Sequence, residues 1–80
     1  MDEMDEVFQE AKAKAVSRIE KKGNTATPWK DFEYKWLDKR LHDEIQEYDK
    51  SKTVTELKDE LLDIINLATF NYLAIKDFHD

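Results

Sequence analysis

The chain has a single glycine and a single proline, Gly23 and Pro28, and they stand five positions apart. Glycine interrupts regular structure through its backbone freedom, and proline through its missing N–H. With both confined to one short stretch, the long segments on either side contain nothing that would stop a helix. Strands and tight turns need more such punctuation, so an all-α fold is expected. The 80 residues make one small domain, 1–80. A core of that size is marginal and is often completed by self-association.

Apolar periodicity places three helices along the chain. Residues 2–22 carry Met4, Phe8, Ala11, Ala15 and Ile19 at spacings of three and four, one stripe of a helix. Acids Asp2, Glu3, Asp5 and Glu6 open it, and Arg18, Lys21 and Lys22 close it, as the helix dipole favours. Gly23 fits the left-handed position just past its end. Lys12, Lys14, Lys21 and Lys22 read as solvated surface, and no chemistry is expected on this helix. After the loop at 23–27, Thr27 as N-cap and Pro28 at the first helical position start a second helix that runs to about Tyr48. Its apolar face holds Phe32, Trp36, Leu37, Leu41, Ile45 and Tyr48. The polar turn at 49–52 is short, so the third helix should return antiparallel to the second. Thr53 and Glu56 make a capping box at its start, and it extends to about Asp77. Between Leu61 and Ile75 it is apolar nearly all round, which predicts burial on every side and hence a homo-oligomer, a dimer or tetramer, joined through this helix into an intersubunit bundle.

The charges that fall on apolar faces are the informative ones. Arg40, Glu44 and Glu47 lie within the stripe of the second helix, and Glu60 and Asp63 share a stripe with Leu67, Phe70 and Ala74 on the third. Acidic couplets are common on solvated helix faces, but acids turned towards a core need partners or a metal. A hairpin of the two helices would converge four carboxylates, which repel unless a hard cation sits among them. Neither His42 nor His79 has the Glu-x-x-His spacing of a di-iron site, so all-oxygen ligation of Mg²⁺ or Mn²⁺ is expected. A sugar-sized cleft for glycoside hydrolysis is beyond so short a chain, and Ser17 and Ser51 have no base partner for nucleophilic catalysis.

A net charge of −6 argues against nucleic acid and against an anionic membrane surface as partners. The acidic start MDEMDE is unlike a signal peptide, and no apolar run approaches the length of a membrane span, so a cytoplasmic location is expected. Without cysteine there is no disulfide and no thiolate metal site.

Glu44-Ile-Gln-Glu47, twelve residues, then Glu60-Leu-Leu-Asp63 resembles the E-x-x-E, spacer, E-x-x-D signature of the MazG-like all-α nucleoside triphosphate pyrophosphohydrolases. Asp43 before Glu44, the aromatic lead-in KDFEYKWLDKRL and Asn66 in DIIN are also similar, and the likeness spans residues 28–76. The resemblance implies a helical hairpin that assembles into four-helix bundles across subunits. Glu44, Glu47, Glu60 and Asp63 would hold Mg²⁺ against the phosphates of a nucleoside triphosphate. A water would attack the α-phosphorus, releasing a monophosphate and pyrophosphate; phosphoribosyl-ATP is an alternative substrate for the same chemistry. Arg40, Asn66, Lys76 and Trp36 are the candidate substrate-binding residues, with Trp29 and Phe32 as further aromatics able to stack on a base. Family members often carry a further helix with basic residues after the E-x-x-D helix. Here the sequence ends soon after that helix, so the first helix or a partner subunit must supply those cations. The competing expectation is a non-catalytic helical interaction module, in which the acids are tolerated and the apolar third helix binds a partner or itself.

Overall fold

The computed structural model describes residues 2–21 and 34–79, and the side chains of these except residues 19–21. Among them are three α-helices and no strand: α1 (Glu3–Lys21), α2 (Tyr34–Lys50) and α3 (Val54–Ile75). The all-α expectation holds. The Gly23 cap, the Thr27–Pro28 helix start, Trp29 and Phe32 lie outside the described residues.

Side-chain capping sets the helix starts that can be seen. Asp2 caps α1, its Oδ1 accepting from Asp5 N at 2.9 Å. At α3, Thr53 has an extended backbone (φ −115°, ψ 158°) and its hydroxyl accepts from Glu56 N at 3.1 Å. Glu56 reaches back to accept from Lys52 N at 3.0 Å, one residue earlier than the usual capping box. Its end of α2 is two residues beyond the expected Tyr48, where Ser51 closes the last turn through its hydroxyl on the Glu47 carbonyl. Helix α3 stops at Ile75 rather than Asp77.

Helix α3 packs against both of the others. Leu37 of α2, 1% exposed, is the largest fully buried side chain described, and Ala11 of α1 is also buried. Polar groups join these contacts. Asn71 Nδ2 donates to the Leu37 carbonyl at 3.1 Å and to the Leu67 carbonyl at 2.7 Å. Asn66 Nδ2 donates to the Ala11 carbonyl at 2.9 Å, a close approach that alanine's small side chain allows. Tyr34 at the start of α2 meets Phe78 beyond α3 edge to face, 6.4 Å between ring centres.

Within the single chain, burial is incomplete on two of the helices. The α1 stripe is covered only in part: Ala11 is buried and Ala15 half-buried, but Met4 and Phe8 are exposed. The helix meets α3 through its middle, where small residues let the backbones approach, and its first two turns are left uncovered. Nor is α3 buried all round, since Leu61 and Tyr72 are exposed while Ile64, Ile65, Leu67 and Phe70 are half-buried. Two neighbouring helices cannot enclose a third. No helix among the described residues is long and apolar enough to cross a membrane.

Leu37 and Ala11 are the buried apolar side chains among the described residues, so Leu37 should weigh heavily in stability. Leu37→Ala is expected to cost about 2–5 kcal/mol, a large share of the roughly 5–15 kcal/mol typical of a domain. Urea titration followed by circular dichroism should show a much lower midpoint, and an unchanged midpoint would contradict this packing.

Candidate metal and anion site

Glu44 on α2 and Glu60 and Asp63 on α3 come together, one carboxylate oxygen from each lying within 4.8 Å of the others. Helical spacing explains the local half of this: Glu60 and Asp63 are three apart and share a face. The contact between α2 and α3 supplies the rest. The acids border a cavity of about 530 Å³ lined also by Arg18, Arg40, Asp43, Gln46 and Glu47. Asp63 is buried at 8% exposure, and the Glu44 side chain is 12% exposed.

Each acid of the cluster is balanced differently. Arg40, one turn before Glu44, donates to Glu44 Oε1 at 2.9 Å and sits 3.7 Å from Asp43 Oδ2. Asp63 Oδ1 receives two cations from α1, Lys14 Nζ at 3.1 Å and Arg18 Nη1 at 2.9 Å. Among the described residues Glu60 has no such cation, and its Oε2 is buried without a hydrogen-bond partner. A side-chain hydrogen bond to Glu44 favours the protonated form of Glu60. That hydrogen bond with Glu44 is the largest cause of a Glu60 pKa raised from 4.5 to about 7; burial comes next, then the charges of Glu44, Asp63 and Glu47.

These features fit a hard divalent cation. The donors are all carboxylate oxygens, the preferred ligands of Mg²⁺ and Mn²⁺, and one of them is buried without a donor of its own. Glu44, Glu60 and Asp63 are the residues that would hold it.

The other expected site residues are placed unevenly. Glu47 lines the cavity but is exposed and stands outside the triad, not turned inward as its helical position suggested. Arg40 is on the cavity wall, tied to its own helix. Asn66 is not on that wall, and its amide is bonded to the Ala11 carbonyl. Lys76 follows the end of α3, exposed and not on the cavity lining, and Trp36 is 46% exposed and also off that lining. Lys14 and Arg18 of α1 reach the cluster through Asp63; sequence reasoning allows the first helix to supply cations but singles out neither residue for the site and puts Lys14 on the solvated surface. The signal was present: Ala11, Lys14 and Arg18 are spaced by three and four and share the face that α3 covers. A cation on a covered face calls for an acid, the same rule that singled out Glu44.

The raised pKa has a definite sign. Glu60 holds its proton more tightly in the fold than in the unfolded chain, so that contribution is complete below 4.5 and is lost as pH rises through about 7. In metal-free buffer at pH 8, Glu60→Gln is therefore expected to stabilise the protein by on the order of 1 kcal/mol, about 4–8 °C for a domain of this size. Near pH 5 the gain should shrink, because wild-type Glu60 is then largely protonated. Equal melting shifts at the two pH values would rule out this charge crowding.

No family model matches the chain, and no solved structure matches it. It is similar to an "Uncharacterized protein" of Archaeoglobus fulgidus, 35% identical over 78 residues that cover 91% of this chain and 84% of the relative. At that identity and coverage, this chain belongs to the same family as the archaeal protein.

Proposed function

We propose that this protein is a Mg²⁺-dependent nucleoside triphosphate pyrophosphohydrolase of the MazG-like kind, cleaving between the α and β phosphates. The observation that carries the reading is the meeting of Glu44, Glu60 and Asp63, from two helices, beside a cavity walled by two arginines. Phosphoryl transfer asks a protein for positioning and charge neutralisation more than for covalent chemistry. Mg²⁺ on the triad would supply the neutralising charge and polarise the phosphoryl oxygens. Glu47, on the cavity wall but outside the triad, is free to take a proton from the attacking water. The water oxygen bonds to the α-phosphorus, the bond from that phosphorus to the bridging oxygen breaks, and pyrophosphate leaves with a nucleoside monophosphate remaining. The cavity wall is charged, so the triphosphate is the part of the substrate it suits.

The architecture proposed with this activity is an antiparallel α2–α3 hairpin that pairs with a second copy. Supporting the hairpin, Leu37 meets Asn71 while Glu44, further along α2, meets Glu60, earlier on α3. Supporting the pairing, Leu61 and Tyr72 of α3 and Met4 and Phe8 of α1 leave apolar surface open. Light scattering at micromolar concentration should give a dimer or tetramer, and a stable monomer would refute the pairing.

One observation favours a second reading, a helical interaction module without catalysis. Asp63 already has two cations, so a structural ion-pair network would need no metal. Pyrophosphate release from a panel of ribo- and deoxyribonucleoside triphosphates, with Mg²⁺ and with EDTA, separates the two. The enzyme should turn over in Mg²⁺ and stop in EDTA, and Glu44→Gln and Asp63→Asn should each reduce turnover by about a hundredfold or more. Absence of release from every nucleotide would leave the interaction module.

A further inference from the structure

We infer that Arg18 is the anion-binding residue of this site, holding a phosphate group of an oligophosphate ligand, and that Asp63 is its resting partner. The inference rests on the metal-dependent reading above and adds a residue to it from a helix outside the acidic signature.

The geometry at Asp63 is the starting point. Both α1 cations converge on one oxygen, Oδ1, with Lys14 Nζ at 3.1 Å and Arg18 Nη1 at 2.9 Å. They are not equally free to leave. The Lys14 side chain is only 22% exposed, and its ammonium also donates to the Asp59 carbonyl at 3.2 Å, so it is held from two sides. Arg18 is 56% exposed, lines the cavity, and among the described residues meets a single acid. A guanidinium offers five donors in a planar fork suited to phosphate, and the contact with Asp63 uses one nitrogen of it. The other cavity arginine, Arg40, has both terminal nitrogens engaged, one with Asp43 and one with Glu44.

Competition for Asp63 links the two ligands. A divalent cation on that carboxylate repels a guanidinium 2.9 Å from the same oxygen, so Arg18 must turn away into the cavity. An oligophosphate there offers it a bidentate, charge-assisted partner in exchange. Before metal binds, the same arginine neutralises the acid and keeps the charged cluster from repelling itself. Arg18 thus couples metal and anion: each ligand is bound better once the other is in place.

Calorimetric titration tests this with Mg²⁺ alone and with inorganic tripolyphosphate in excess Mg²⁺, on wild type, Arg18→Gln, Arg18→Lys and Lys14→Gln. Arg18→Gln should bind Mg²⁺ alone at least as tightly as wild type, since a competitor is gone, yet bind tripolyphosphate about tenfold or more weakly, the scale of a charge-assisted hydrogen bond. Arg18→Lys should recover part of that loss, and Lys14→Gln should lose much less. Wild-type tripolyphosphate affinity in Arg18→Gln overturns the inference, as does an equal loss in Lys14→Gln, which would mark a general charge effect. If circular dichroism shows Arg18→Gln unfolded, Arg18→Lys is decisive: weaker tripolyphosphate binding supports the contact and unchanged binding overturns it. Nucleotide cleavage is scored separately. Arg18-dependent tripolyphosphate binding without cleavage keeps the inference and removes the hydrolase, whereas cleavage with Arg18-independent binding does the reverse.

Discussion

Repulsion among carboxylates is the constraint around which the described helices are arranged. Glu44, Glu60 and Asp63 bring their oxygens within 4.8 Å of one another, where like charges in a partly desolvated site cost far more than in water. Three different devices relieve it. Arg40 pairs Glu44 from within α2, Lys14 and Arg18 pair Asp63 from α1, and Glu60 takes up a proton. The docking of α1 onto α3 is itself part of this balance. Alongside Ala11 and the Asn66 amide, that contact includes cations meeting Asp59 and Asp63.

This arrangement separates two requirements that compete in a small protein. Stability asks for apolar burial, and the described residues supply little that is complete: Leu37, Ala11 and a half-buried side of α3. Function, on the reading proposed here, asks for acids held close together in the same region. A buried ion pair adds little net stability, but removing one partner leaves an uncompensated charge and is costly. The acids therefore bind the helices to a particular geometry more than they stabilise them. That is what a site needing fixed ligand positions requires.

Much of the fold was legible because its rules are local. Three- and four-residue spacing marked the helices, Thr53 and Glu56 marked the start of α3, and the paucity of glycine and proline excluded a sheet. The acidic cluster was legible in part. Spacing placed Glu60 and Asp63 on one face, and their position among apolar residues turned them inward. Glu47 shows the limit of the same reasoning: it is one turn from Glu44 on the same side of α2, yet it is exposed and outside the triad.

The sequence by itself therefore determined helix type, the capping of α3 and the pairing of acids along each helix, since these depend on neighbours within about one turn. Tertiary structure alone decided which acids meet and which cations answer them. Arg18 and Asp63 are 45 positions apart, and no periodicity links residues so distant. Their contact follows from how closely α1 approaches α3 at Ala11, a matter of packing between faces. The exposure of Tyr72 was decided by how far two helices can wrap a third, and that of Met4 and Phe8 by where along its length α1 meets α3.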